Sequence, residues 1–515
     1  MVRSATLIGV QGQPISVEVH VSNGLPSFAV VGLPDASCRE ARDRVRAAIL
    51  SSGLRWPQRR ITVNLAPTGV RKGGAGLDLP IAIALLVADD QIDAARVGDT
   101  AFVGELGLDG SLRPVAGTLA LVHAIGHGSA VLPAASWPEA RLVHSVDVRV
   151  ADDLGALRDC LHGRRRWPAP PPPTLTAMSP AGPDMADVRG QPLARFAVEV
   201  AAAGGHHLLM VGPPGAGKTM LAERLAGLLP PLATDDAIEV TRIHSAAGLT
   251  LPPTVLIDRP PFRAPHHSAS LVSLLGGGGT QMRPGELSCA HNGVLFLDEL
   301  GEFPRSLLDS LRQPLEEGSL LVCRARASVT LPARVLLVAA MNPCPCGREG
   351  GPGSCRCRDS VRARYAARVS GPLLDRFDLR LLVGRPDIDA LVGSSVLGRP
   401  HEEEPTEVVA ARVRRCRAWA ARRGLRANAD IPAGRLDELA PLDAAAARLL
   451  EVRLRQGHLS ARGMHRIRRV ARTIADVHGW DGPVQADDIY EALALRAAVF
   501  GPNAEGSDPL AAGAA

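Results

Sequence analysis

The sequence predicts an α/β fold, and three short apolar runs with polar endings predict it. His207 to Val211 leads straight into Gly212-Pro-Pro-Gly-Ala-Gly-Lys218-Thr219. Gly293 to Leu297 ends in Asp298 and Glu299, and Arg334 to Met341 ends in Asn342. Runs this apolar suit strands buried on both faces, as in a parallel sheet, and α/β sheets bind ligands outside the carboxyl ends of their strands.

Composition narrows the class. At 515 residues, 46% hydrophobic and 22% charged, the chain is ordinary globular material with room for two to four domains. A formal charge of +5 is too weak to name a partner, so any nucleic-acid footprint must be local. No run reaches the ~18 apolar residues of a membrane span. The first residues alternate like a strand without a signal-peptide pattern, so a cytoplasmic protein with no membrane partner is expected. Two lysines, Lys72 and Lys218, stand among 58 basic residues. Where arginine has replaced lysine almost everywhere, a surviving lysine marks a position suited to a compact ammonium on a flexible stem.

Along the chain, residues 1–162 form a first unit. It opens with alternating strands at Thr6 to Val10, Ile15 to Val21 and Phe28 to Val31, then an amphipathic helix from Ala36 to Ser51 and a strand at Arg60 to Leu65. Residues 163–184 are a Pro-rich linker, stiffened by Pro170 to Pro173. Residues 185–390 are the α/β core, 391–500 a helical domain with Arg-rich faces, and 501–515 a disordered tail.

The chemistry sits in the core. G-x-x-x-x-G-K-T between a strand and a helix (Met220 to Leu229) is a phosphate-binding loop. Gly212, Pro213, Pro214, Gly215, Ala216 and Gly217 form the expected phosphate cradle, whose glycines let backbone N–H groups wrap phosphates, helped by the helix N-terminus. Lys218 is expected to reach the β/γ-phosphates and Thr219 to ligate Mg²⁺. Asp298 suits the second Mg²⁺ contact, Glu299 suits polarising the attacking water, and Asn342 can orient that water or touch the γ-phosphate. ATP and Mg²⁺ are the expected cofactors.

Cys344-Pro-Cys346 and Cys355-Arg-Cys357 follow Asn342 directly. Four thiolates in one Gly/Pro-rich loop can close a tetrahedral S₄ site, with Zn²⁺ the first candidate. Reduced thiols or a redox pair are the alternative. Arg348, Arg356, Arg358, Arg362 and Arg364 surround the cluster, so a zinc-pinned basic finger touching DNA is a further expectation. Cys38, Cys160, Cys289, Cys323 and Cys416 read as scattered, mostly buried residues.

P-loop, acidic pair and strand-terminal Asn in this order resemble the AAA+ ATPases, whose third element is called sensor 1. The segments Asp187-Val-Arg-Gly-Gln191, Arg263-Ala-Pro-His-His-Ser-Ala-Ser270, Gly276-Gly-Gly-Gly279, Arg283-Pro-Gly-Glu286 and Met341-Asn-Pro-Cys-Pro-Cys-Gly347 narrow the likeness. With Ser370-Gly-Pro-Leu-Leu-Asp-Arg-Phe-Asp378 and Ser460-Ala-Arg-Gly-Met-His-Arg466, they resemble the YifB/ComM family of magnesium-chelatase-like AAA+ proteins, from about Thr6 to Phe500. That resemblance implies a homo-hexameric ring that drives DNA translocation or branch migration in recombination or transformation. A magnesium-chelatase-type motor remodelling a protein partner without nucleic acid is the alternative.

By motif, the resemblance makes Arg376 an arginine finger for the neighbouring subunit; a helix-end arginine paired with Asp375 or Asp378 is the alternative. It makes Arg462 sensor 2, with Arg466 as the rival. The stretch from Gly318 to Thr330 resembles a hairpin that lines the ring's pore. Arg324 and Arg326, two apart, are expected to project from one strand face and follow DNA phosphates; an edge hairpin with a solvated arginine face is the alternative. An aromatic content of 3% argues against base-stacking platforms.

The first unit carries Ile61-Thr-Val-Asn64-Leu-Ala-Pro67, Arg71-Lys-Gly-Gly-Ala-Gly-Leu-Asp78-Leu-Pro80 and Gly104-Glu-Leu-Gly-Leu-Asp-Gly-Ser-Leu-Arg113, and so resembles a Lon-protease-like α+β domain. A Lon-type site needs a Ser nucleophile and a Lys. Here the nucleophile position falls near Ala75 and the later lysine is absent, so a scaffold is expected, with Lys72 on a functional surface or merely in a turn.

Overall fold

The computed structural model describes residues 1–69, 72–169, 182–249, 256–278, 282–324, 327–347, 355, 357–385, 403–457, 459–497 and 499. Arg326, Arg348, Arg356, the Pro170 to Pro173 run and the expected 501–515 tail lie outside them.

The first unit is a seven-stranded mixed sheet. Its strands are β1 (Val2–Ile8), β2 (Gln11–Ser22), β3 (Ser27–Val31), β4 (Arg60–Ala66), β5 (Ala101–Phe102), β6 (Ser129–Pro133) and β7 (Asp147–Ala151). They run β3-β4-β2-β1-β5-β6-β7 across the sheet. Strand β1 starts at Val2 rather than Thr6, because its ladder with β2 runs from Val2↔Val17 to Ile8↔Gln11 and leaves Gly9 and Val10 as the turn. Alternation continues on both sides of Thr6, so period alone could not locate that end. Helix α1 (Ala36–Ser51) is capped by Asp35, which accepts from Cys38 N at 2.9 Å. Helix α2 (Asp78–Ala88) is buried from Asp78 to Leu86 and fills the core beside β2.

The second sheet is parallel throughout: β8 (Leu208–Val211), β9 (Phe262–Arg263), β10 (Val294–Leu297), β13 (Leu336–Met341) and β14 (Leu379–Leu382), in the order β9-β10-β13-β8-β14. Every residue of β8, β10 and β13 is buried, as their apolar sequences require. Helices α3 (Pro192–Gly204) and α4 (Lys218–Leu228) flank β8 in sequence, and α5 (Thr234–Ala247) follows. The expected α/β core is therefore present, with β8, β10 and β13 delivering their polar endings to one edge.

Between β10 and β13 a hairpin intervenes, β11 (Ser319–Arg324) and β12 (Ala327–Pro332). Its register closes at Arg324↔Ala327, so Arg324 ends its strand. The expectation that Arg324 and Arg326 share one strand face falls on Arg326, which lies outside the described residues. On the inner face Val329 and Leu331 pack with Val10, Ile243 and Ala246. A Cβ on Gly9 (φ +63°) would stand 2.4 Å from Val329 Cγ1. The hairpin thus leans on the first unit, while Leu321 and Cys323 face outward.

Helix α6 (Asp359–Ala366) follows the cysteine loop, and α7 (Thr406–Arg422), α8 (Ala444–Arg455), α9 (Ala461–His478) and α10 (Ala486–Ala494) form the helical region. Val413, Ile467 and Ile474 join Val198, Leu221 and Val338 in one core, fixing the helical region on α3 and α4. Among the described residues no helix is long and apolar enough to cross a membrane.

Candidate nucleotide site

The loop after β8 is anchored at both sides. Gly212 N donates to Met341 O at 3.1 Å, and a Cβ on Gly212 would stand 2.1 Å from Val383 O. Gly215 and Gly217 have φ of +80° and +82°, a left-handed conformation that glycine adopts without a Cβ clash. Together with the N-terminus of α4, such turns make a concavity lined by N–H groups that suits anionic oxygens.

Lys218 is 8% exposed. Its Nζ donates to Gly212 O at 2.7 Å, Pro213 O at 2.9 Å and Asn342 Oδ1 at 3.2 Å. Burial pulls its amine below the ordinary lysine range, with the Asp298 charge opposing. A buried ammonium held by carbonyl oxygens can exchange them for phosphate oxygens. Thr219 Oγ1 donates to Asp298 Oδ2 at 2.8 Å, and Asp298 Oδ1 accepts from Glu299 N at 2.8 Å. The hydroxyl and the carboxylate are hard oxygen donors that could share one Mg²⁺, and neither is buried beyond reach of solvent.

Glu299 occupies the left-handed region at φ +51°, which is rare for a non-glycine residue and concentrates at functional sites. Its Oε2 lies 3.1 Å from His267 Nδ1. The His267 ring stands 4.0 Å from that of His266 and edge-on to Phe303 at 6.4 Å. Sequence reasoning used the His266-His267 segment only as a family signature and missed this partner. A histidine pair behind a proline was the available signal. Gln191 was missed in the same way: its Nε2 donates to Gly384 O at 2.8 Å and to Ala216 O at 3.4 Å, bridging the loop and the end of β14.

Arg376 is elsewhere. It pairs with Glu316, rather than with Asp375 or Asp378. Asp375 instead faces Arg380 at 3.4 Å, while Asp378 takes His206 at 3.1 Å and Arg466 at 3.3 Å. Burial opposes ionisation of Asp378, yet His206 and Arg466 hold its carboxyl well below the usual range. Arg376, Arg466, Arg417 and Arg426 line a cleft of ≈ 750 Å³ that includes no residue of the P-loop. Arg462 is exposed on the first turn of α9, and among the described residues it makes no ion pair or hydrogen bond. Of the two rivals, then, Arg466 shares a cleft with Arg376.

The four sulfurs of Cys344, Cys346, Cys355 and Cys357 lie within 4.8 Å of one another. Lys72 is not on a surface: it is fully buried, its Nζ donates to Pro67 O, and its backbone bridges Leu33 and Asp35. Burial lowers its amine, and those partners make it a brace between loops. Ala75 opens a short 3₁₀ turn.

Three family descriptions match consecutive stretches: subunit ChlI of Mg-chelatase over residues 17–136, magnesium chelatase, subunit ChlI over 184–391, and magnesium chelatase, subunit ChlI C-terminal over 403–496. The chain is 42% identical over 503 residues to the uncharacterized protein YifB of Escherichia coli K12, covering 96% of this chain and 97% of YifB. It is 42% identical over 505 residues to the competence protein ComM of Haemophilus influenzae, covering 97% of each. A shorter stretch of 209 residues, 40% of this chain and 27% of the relative, is 27% identical to a probable DNA helicase, MCM9, of Arabidopsis thaliana. By that likeness over nearly its whole length, the chain belongs to the YifB/ComM family of magnesium-chelatase-like AAA+ proteins.

Proposed function

We propose that this protein is a Mg²⁺-dependent ATPase that assembles as a homo-hexameric ring and uses hydrolysis to translocate or branch-migrate DNA. Lys218, Thr219, Asp298, Glu299 and Asn342 act within one subunit: the loop holds the phosphates, Thr219 and Asp298 hold Mg²⁺, Glu299 polarises water and Asn342 orients it. Arg376 acts on the neighbour's nucleotide, with Arg466 beside it as the sensor-2 arginine in place of Arg462.

One observation carries the assembly. Arg376 lies in an arginine-lined cleft without a P-loop residue, which supports a site in which Lys218 and Arg376 come from different chains. The DNA reading draws its support from the competence protein and the probable DNA helicase among the relatives, and from Arg324 at the hairpin tip. The first unit, Lon-like by its motifs, serves as scaffold: Val10 buttresses the hairpin strands, and Gly117 N donates to Ser245 O at 3.0 Å.

ATP-dependent strand exchange on a synthetic three- or four-strand junction, with Lys218→Ala as control, tests the reading. Forked DNA should also raise ATP turnover. Hydrolysis that ignores DNA, with unchanged DNA affinity in Arg324→Ala/Arg326→Ala, points instead to a motor acting on a protein partner.

A further inference from the structure

We propose that Cys344, Cys346, Cys355 and Cys357 hold one Zn²⁺ as a tetrathiolate, and that this metal braces the γ-phosphate side of the nucleotide site. The second half rests on the nucleotide-site reading; the first does not.

The sulfur spacing identifies the ligand. Cys344 and Cys346 Sγ are 3.2 Å apart, Cys344 and Cys355 3.5 Å, and Cys346 and Cys355 3.6 Å. Four sulfurs placed tetrahedrally ~2.3 Å from one ion lie about 3.8 Å from each other. No described pair is bonded as a disulfide, which requires ~2.05 Å. An iron–sulfur cluster would set its own irons and sulfides between the thiolates and spread them further. The site therefore has room for a single ion, and an S₄ tetrahedron selects zinc or iron.

The loop's attachments identify its role. Asn342 stands two residues before Cys344, and Gly347 follows Cys346. A Cβ on Gly347 would stand 2.8 Å from Pro214 Cγ, so the loop rests on the P-loop itself. Past Cys357, helix α6 presents Tyr365 to Gly301, where a Cβ would stand 2.6 Å from Tyr365 Cζ. Arg368 Nη1 donates to Gly301 O at 2.5 Å and to Glu302 Oε2 at 3.0 Å. Leu300–Glu302 is the turn immediately after Glu299. One ion thus ties the strand end bearing Asn342 to the helix that backs Glu299, with the P-loop between them.

Elemental analysis of the purified full-length chain should give about one zinc per chain, and Cys355→Ser/Cys357→Ser should lose it. The same variant should lower kcat for ATP by at least about tenfold. Its affinity for a fluorescent ATP analogue should change less than about threefold. If the variant folds poorly, chelator stripping of the folded parent and zinc re-addition should show the same reversible loss. A parent without zinc, or with iron in its place, overturns the metal assignment. Parent-like DNA-free turnover with weakened DNA binding overturns the brace and makes the loop a DNA finger. Zinc in a parent that binds no nucleotide leaves the metal site standing and fails the nucleotide reading instead.

Discussion

His267 Nδ1 lies 3.1 Å from Glu299 Oε2, at a glutamate whose backbone is held at φ +51°. The carboxylate given the water-activating role in the proposed function is oriented here from two sides, by an uncommon backbone turn and by a ring wedged between His266 and Phe303. Glu299→Gln keeps the shape and removes the base, so kcat for ATP should fall by roughly 10²–10⁴ while nucleotide affinity persists. His267→Ala leaves the base but frees its orientation, so the loss should be smaller, about tenfold, and confined to kcat. Phosphate-release kinetics beside nucleotide titrations separate the two. A His267→Ala enzyme with parental kcat would refute the positioning role.

Lys218 tests the value of a lysine in an arginine-rich chain. Its ammonium fits between Gly212 O and Pro213 O at 2.7 and 2.9 Å, with Asn342 Oδ1 at 3.2 Å. A planar guanidinium is too wide for that gap and presents its donors in a fixed fork. Lys218→Arg should therefore abolish ATP turnover nearly as fully as Lys218→Ala, despite the retained charge. Asn342→Ala should spare binding and lower kcat. Steady-state turnover within about tenfold of parent for Lys218→Arg would contradict this geometry.

The nucleotide site was legible because its parts are local. A glycine loop after an apolar run, two adjacent carboxylates and a strand-terminal amide each advertise themselves within a few residues, and a parallel sheet brings such ends together. What stayed hidden was long-range. His267 reaches Glu299 from a loop with no periodicity, and Gln191 reaches Gly384 across the sheet. Lys72 reads in the sequence as a functional-surface or turn residue, yet it is fully buried, its backbone bonded to Leu33 and Asp35. The choice between Arg462 and Arg466 could not be read from helical spacing. They are one turn apart on α9, and only the packing of that helix puts Arg466 against Asp378.

His207 gives a pH dependence with a defined sign. Leu337 N donates to its Nδ1 at 3.0 Å, which requires a lone pair there and hence a neutral ring. Burial lowers its pKa from 6.5 to about 4. Between those values the unfolded chain binds the proton and the folded chain does not, so stability rises with pH across that window and is lost on acidification. The ring borders the open cleft, so an effect of ~1–2 kcal/mol is expected, less than the full shift allows. Thermal unfolding of the parent should drop about 1–2 °C more between pH 7 and pH 4.5 than that of His207→Gln, which keeps an acceptor but does not titrate there. Parallel curves would mean that His207 contributes nothing to acid lability.

Arg376 is the residue whose role can be settled by mixing chains. In a finger role it neutralises transition-state charge on the neighbour's nucleotide, worth about 10³–10⁵ in rate. In a structural role it answers only Glu316 and the cleft around it. Arg376→Ala should bind ATP normally and hydrolyse almost none, and Lys218→Ala should neither bind nor hydrolyse. Mixed together, the two inactive proteins form some interfaces with Lys218 from one chain facing Arg376 from the other. Those interfaces should restore a measurable fraction of parental turnover, rising with total protein concentration as rings exchange subunits. If Arg376→Ala only loosens its own subunit, mixing restores nothing and its melting temperature falls instead. Recovery on mixing, with the melting temperature unchanged, would place the arginine's action across the subunit boundary, which is where the cleft that contains it has no phosphate loop of its own.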